Sequence, residues 1–307
     1  MKNKFLIGAT LASLISTSAS AALISPNVEL VVRGDNGAID LFSGSVSGIS
    51  GVDYFNLGAP VSDYGFAVLN SNGSISNFSN ADTSGSINGH SVGSVVESGD
   101  RVTVTGTYGS FGTFERTYSQ VGSLDVFAIN TSFTSMFNGL FTLLQYETFD
   151  PDQGSGIGRG TRTYNDVVEV TGVKNTDGST LLASTSVDTA RQNPFFLAST
   201  SAFATEAGGV FEINSVARLL DVVNSPVDAN DALADLGAHT IIKQDFLMGE
   251  TFNWTTYIGT SAGGLADGLA VLADGVTTDQ TEIPEPSSLA IIGLGLAGLA
   301  VRRRIKK

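Results

Sequence analysis

The 307-residue chain carries 16 Lys+Arg against 30 Asp+Glu, a formal net charge of −14, with 42% hydrophobic residues and no cysteine. That apolar fraction supports a packed core and excludes wholesale disorder, and the lack of Cys excludes thiol nucleophiles, Fe–S clusters and thiolate zinc sites. With His90 and His239 the sole imidazoles, a His-rich metal site is excluded too. The charge is unevenly placed. Lys2, Lys4 and five cations within the last six residues leave the span 22–283 with nine cations against 29 acids, a net −20. A body of that sign is repelled by nucleic acid and by anionic lipid, attracts divalent cations and stays soluble.

The N-terminus has three parts: a positive start at Lys2 and Lys4, an apolar stretch over 5–15, and a small, polar segment ending Ala19-Ser20-Ala21 before Ala22. Such a layout is a secretory signal peptide over 1–21, with small residues at Ala19 and Ala21 for signal peptidase and cleavage before Ala22. The 11-residue apolar stretch is too short to span a bilayer core of about 30 Å at about 1.5 Å per residue.

Residues 22–262 read as a β-rich body. Ser/Gly/Asn-rich stretches at 43–51 and 70–93 read as loops or edge strands. Val102, Val104 and Tyr108 alternate with Thr103, Thr105 and Thr107; Phe114, Arg116 and Tyr118 alternate with Thr113, Glu115 and Thr117. This period of two, repeated in β-branched and aromatic runs at 124–133 and 140–149 and around Phe252, Trp254 and Ile258, marks half-buried antiparallel strands. Gly and Asn turn signals punctuate them, as at Asn72-Gly73, Asn88-Gly89, Asn138-Gly139 and Asp177-Gly178. Short strands with frequent turns point to an antiparallel β-sandwich or jelly roll. Two short helices are expected, at 230–236 before Gly237 and around Leu265, Leu269 and Leu272 before Gly275. Residues 263–283 grade into a spacer.

The body offers few chemical signals. Gly89-His90-Ser91-Val92-Gly93 fits the G-x-S-x-G nucleophile pattern, with His239 the single downstream histidine available as base. The flanking sequence is not the strand–turn–helix that a nucleophile elbow needs, so a non-enzymatic body is expected and Ser91 and His239 remain weak catalytic candidates. Asp150 and Asp152 open a Gly-rich loop followed by Asp166, and these carboxylates are the candidate calcium ligands, against a plain solvated turn. Asp228-Ala229-Asn230-Asp231 reads as a helix cap before it reads as a calcium loop. Trp254 and Tyr257 are core strand aromatics first and sugar-stacking platforms second.

The C-terminus is the most specific signal. Pro284-Glu285-Pro286 precedes an apolar, Gly-rich run over 289–301 and then Arg302-Arg303-Arg304-Ile305-Lys306-Lys307. As a helix the run reaches about 20 Å, thin for a permanent anchor, and the basic cluster stays cytoplasmic by the positive-inside rule. Gly293 to Gly298 spells G-x-G-x-x-G, but the βαβ unit of a dinucleotide site has no room after it; the small residues form a packing face on a membrane helix.

This order of three elements over 284–307 resembles the PEP-CTERM sorting domain of Gram-negative bacteria. The resemblance implies recognition by an exosortase, a membrane cysteine transpeptidase that cuts near the Pro-Glu-Pro element, and transient insertion in the inner membrane. Members of that family are typically surface or extracellular-matrix proteins of bacteria that make exopolysaccharide. The expected role is therefore structural or adhesive, near exopolysaccharide. A secreted hydrolase or a carbohydrate-binding module is the alternative.

Overall fold

The computed structural model describes residues 20–46, 49–55, 62–81, 87–152, 162–208, 211–226, 228 and 230–282. The signal peptide up to Ala19, the Pro284-Glu285-Pro286 element, the apolar run and the basic cluster at Arg302, Arg303, Arg304, Lys306 and Lys307 lie outside the described residues.

The first half of the body comprises β1 (Ala21–Ile24), β2 (Glu29–Val32), β3 (Ile39–Val46), β4 (Ile49–Asp53), β5 (Ser62–Leu69), β6 (Ile75–Ser76), β7 (Asn80–Ala81), β8 (Ile87–Asn88), β9 (Ser91–Ser98), β10 (Arg101–Tyr108), β11 (Gly112–Gln120), β12 (Val126–Ser135) and β13 (Phe141–Phe149). There follow β14 (Thr163–Lys174), β15 (Thr180–Val187), β16 (Phe195–Ser199), β17 (Ala204–Ala207), α1 (Val216–Asn224), β18 (Ala232–Ala234), β19 (Ala238–Phe246), β20 (Thr251–Thr260) and α2 (Leu265–Glu282). The strands form a nine-stranded sheet in the order β18-β14-β15-β16-β20-β12-β11-β10-β9, a seven-stranded sheet β17-β19-β13-β5-β7-β8 with β6 on β5, and a four-stranded sheet β1-β2-β3-β4. Every pairing is antiparallel. The expected mostly-β antiparallel sandwich is the observed architecture.

The alternation along β10 and β11 sets the inner face. Val102, Val104, Tyr108, Phe114 and Tyr118 are buried, and they join inward residues of β5, β13, β19 and β20 in one core between the two large sheets. Phe66 of β5 meets Phe133 of β12 at 5.8 Å between ring centroids, and Phe246 of β19 meets the same ring at 5.2 Å. The small sheet packs onto this core through Phe42, whose ring lies 6.1 Å from Phe127 and 5.8 Å from Phe195. Asn72-Gly73, Gly99-Asp100 and Asp177-Gly178 all lie in tight turns, with the glycines at φ 80°, 64° and 84°. Signal cleavage before Ala22 would remove the first residue of β1, Ala21, which pairs with Val32.

Each large sheet carries one helix on its outer face. α1 buries Leu219 and Val222 against Ala67, Leu144, Tyr146 and Ile241 of the seven-stranded sheet. Ser215 caps it, its hydroxyl accepting from the Arg218 backbone N–H at 3.4 Å. α2 buries Leu272 and Val276 against Val126, Ala128, Val170 and Tyr257 of the nine-stranded sheet.

Two helix expectations are corrected. Residues 232–234, expected within a helix, form β18 because they complete the edge of β14, pairing Thr163 with Ala234 and Asn165 with Ala232. The second helix does not stop at Gly275 but continues to Glu282 through the stretch expected as a spacer. Gly275 is a packing position: a Cβ there would stand 3.0 Å from Val126 Cγ1, so the missing side chain lets the helix approach the sheet. No helix among the described residues is long and apolar enough to cross a membrane.

Candidate functional site

Where β13 ends, the chain continues as Asp150-Pro151-Asp152. Pro151 fixes its own φ and keeps Asp150 out of the helical region, and the two acids that flank it converge. Asp150 is 2% exposed and Asp152 5%. The Asp152 backbone N–H donates to the Tyr54 carbonyl at 2.5 Å, tying the segment to the end of the small sheet. A third carboxylate arrives from the other large sheet, at Asp235, which directly follows β18 and is exposed. One carboxylate oxygen from each of the three residues lies within 4.8 Å of the other two. Asp152 Oδ1 is fully buried and has no hydrogen-bond partner among the described residues.

Burial pushes Asp150 up to about 8, and the charges of Asp152, Asp235 and Glu212 push in the same direction. Burial followed by the charge of Asp235 takes Asp152 up to about 7. Asp150 and Asp152 thus hold their protons far above the ordinary carboxylate range, the response of buried acids set close to like charge. A cation could take the place of those protons. The donors are all carboxylate oxygens, which suits a hard ion such as calcium.

Asp166, the third carboxylate expected with Asp150 and Asp152, stands elsewhere, on β14. Its carboxyl is hydrogen-bonded to that of Asp228, and burial followed by this contact raises it to about 6. The Val167 N–H donates to Asp166 Oδ1 at 3.0 Å. Asp228, Asn230 and Asp231 cap no helix among the described residues. Asp228 Oδ1 accepts the Asn230 N–H at 2.9 Å in a local turn, and Asp231 pairs with Arg191 at 2.5 Å.

Ser91 and His239 are not brought together. Ser91 is the exposed first residue of β9, paired with Thr107, and the chain runs on as a strand where a nucleophile elbow would begin a helix. His239 is fully buried in β19 of the other sheet, its Nδ1 2.9 Å from the Thr148 hydroxyl. The neighbouring His90 is 5% exposed among the rings of Tyr64, Phe66 and Phe114.

Trp254 and Tyr257 are both buried, on opposite faces of β20. Trp254 faces the main core and donates Nε1–H to Gln145 Oε1 at 3.0 Å, while Tyr257 lies under α2 and donates to Asp279 Oδ2 at 2.7 Å. The Trp254 bond is the outer end of a polar network between the sheets that sequence patterning did not reveal. Arg116, 1% exposed, bonds Glu147 of β13 through Nη1 at 2.6 Å and Nη2 at 3.1 Å, and its guanidinium sits 4.0 Å over the Tyr64 ring. Gln145 donates to Glu147 Oε1 at 2.7 Å, and Tyr118 donates to the Gly37 carbonyl at 2.8 Å. The position of Arg116 among inward residues was legible; its partner, on a strand of the facing sheet, was not.

Beside α2, the outer face of the nine-stranded sheet forms an open trough of about 830 Å³. Its floor carries Glu115, Thr117, Asn130, Ser132, Asn253 and Thr255, with Phe203 and Phe252 also on its wall. Phe203 is 48% exposed. Threonine, serine and asparagine at alternate positions of adjacent strands give a row of hydroxyl and amide groups toward solvent.

Residues 282–304 match the PEP-CTERM protein-sorting motif. The chain thus carries a PEP-CTERM protein-sorting motif at its C-terminus, which implies export through the signal-peptide pathway and processing by an exosortase. No curated protein matches it. Among solved structures it is similar to a bacterial glucoamylase complexed with acarbose, at 12% identity and TM-score 0.47 over 83% of this chain and 34% of that one. It is similar to a polysaccharide lyase at 12% identity and TM-score 0.48 over 80% and 34%, and to a galactose mutarotase-like protein from Lactobacillus casei at 9% identity and TM-score 0.45 over 79% and 100%. The chain spans about a third of the length of the glucoamylase and of the lyase.

Proposed function

We propose that the exported body is a structural or adhesive, non-enzymatic component of the cell surface or extracellular matrix, associated with exopolysaccharide. In this reading the tail is inserted in the inner membrane only transiently, and cleavage near Pro284 to Pro286 releases the body. The observation that carries the proposal is the sorting motif at the end of an acidic β-sandwich. The −20 body is suited to a hydrated anionic matrix, where calcium can bridge its carboxylates to an acidic polymer. The test is fractionation of the native host. The account expects the protein in the surface or matrix fraction, retained by exopolysaccharide and released when calcium is chelated. Recovery in the medium whether or not the host makes exopolysaccharide contradicts it.

The trough favours a second reading, a carbohydrate-binding module, with a secreted hydrolase as the further alternative. Rows of hydroxyl and amide groups with an exposed phenylalanine on the wall are groups that hydrogen-bond and stack on sugars. Asn130→Ala with Asn253→Ala would abolish retention on a polysaccharide if the trough binds it. Release of reducing ends or of ester acid by the purified protein, lost in Ser91→Ala or Asp150→Asn, would establish the hydrolase.

A further inference from the structure

We infer that Asp150, Asp152 and Asp235 form a divalent-cation site, of calcium type, that staples the two large sheets together at one end of the sandwich. The site is distinct from any diffuse calcium bridging by the acidic surface, and it does not depend on the role proposed for the body.

Three features build it. The first is convergence from different sheets: Asp150 and Asp152 follow the last residue of β13, in the seven-stranded sheet, and Asp235 follows the last residue of β18, at the edge of the nine-stranded sheet. β18 has three residues and pairs with β14 alone, so few backbone bonds hold it. The second is fit. Oxygens on opposite sides of a calcium ion stand about 4.6–5.2 Å apart, from Ca–O distances of about 2.3–2.6 Å, whereas magnesium at about 2.0–2.1 Å allows about 4.2 Å at most. Oxygens that lie within 4.8 Å of one another are on the scale of the ligand spacings round a single calcium ion. The third is the orphaned oxygen. Asp152 is 5% exposed, yet its Oδ1 is fully buried and has no hydrogen-bond partner among the described residues. A buried carboxylate oxygen without a donor is costly, and a bound cation supplies what the protein does not.

Asp235 is the exposed member and provides the route of entry. A cation arriving there would meet two carboxylates already held by the backbone, so little ordering is needed to bind it. Three protein carboxylates leave further positions of a six- to eight-coordinate ion to water. The ligand set contains no imidazole or thiolate, which sets it apart from a zinc site.

The experiment uses the protein purified from the secreted or surface fraction of its host, stripped with EDTA, and measures thermal unfolding and calorimetric binding with calcium chloride and magnesium chloride. Calcium should bind one ion per chain, with a dissociation constant of about 10⁻⁴ to 10⁻³ M as in extracellular modules. It should raise Tm by roughly 5–10 °C at a hundredfold excess over that constant. Magnesium should shift Tm much less. Asp235→Asn, at an exposed position, should fold normally and weaken calcium binding at least tenfold, while Asp221→Asn, an exposed acid on α1, should leave it unchanged. Asp152→Asn should remove the calcium-dependent rise and leave the EDTA-treated protein at least as stable as the parent, since it removes a buried carboxylate. Equal calcium shifts in the parent and in Asp235→Asn, or no binding heat and no Tm change at calcium concentrations up to about 0.1 M, a hundredfold excess over the weaker constant, would overturn the inference.

Discussion

His90 gives the sharpest test of the interior chemistry. Its ring is 5% exposed, packs 5.3 Å from Tyr64, 5.9 Å from Phe66 and 5.7 Å from Phe114, and has no hydrogen-bond partner for either nitrogen among the described residues. Burial, helped by the charge of Arg116, pushes its pKa from 6.5 down to about 4. The folded protein therefore keeps this imidazole neutral while the unfolded chain protonates it below about 6.5. Stability from this group is present above pH 6.5 and is lost as pH falls toward 4. Linkage over that window makes the protein about 2 kcal/mol less stable at pH 5 than at pH 7 from His90 alone. The buried acids Asp150, Asp152 and Glu206, all raised, have the opposite sign: their contribution falls as pH rises above the ordinary carboxylate range. The difference between parent and His90→Leu isolates the histidine. Urea unfolding of both proteins at pH 7 and pH 5 should show the variant gaining on the parent by about 2 kcal/mol at the lower pH, whatever its packing offset. A difference that is the same at both values would refute a neutral, buried His90.

Two further predictions probe the core. Arg116→Met should destabilise by about 3–5 kcal/mol because it leaves Glu147 buried without its guanidinium, and Arg116→Met with Glu147→Leu should recover much of that loss. Denaturant midpoints at pH 7 check it; additive losses in the double variant would mean the two side chains do not act as a pair. Leu272→Ala should cost about 2–5 kcal/mol, since Leu272 is fully buried under α2. A loss below about 0.5 kcal/mol, the level of a surface change, would return the 265–282 stretch to the role of a spacer.

The strands of this sandwich were readable where one face is buried and the other wet. β10 and β11 carry Thr and Glu opposite Val, Tyr and Phe, and that contrast is a direct trace of the two environments. Helices were harder. α1 is faint in the sequence although Ser215 caps it and Leu219 and Val222 lie one turn apart, because it is a single short element on a strand-rich background. α2 was cut short because glycine commonly ends a helix, whereas Gly268 and Gly275 serve close approach, to Pro194 and Val126 respectively. The acidic site was half legible. Asp150 and Asp152 are two residues apart in sequence, but Asp235 follows an edge strand whose pairing with β14 sets its position, and nothing local marks it. Asp166 looked equivalent in sequence, yet its strand carries it to Asp228.

The measurement that bears most directly on the account is the intact mass of the protein recovered from the surface and medium of its native host, with and without an active exosortase. The account predicts a chain beginning at Ala22 and ending near Pro284 to Pro286, with any attached group adding to that mass, and an uncleaved, membrane-associated form when the exosortase is inactivated. A chain that still ends at Lys307 in membranes of the wild-type host would contradict it and make the protein a permanent single-pass membrane protein.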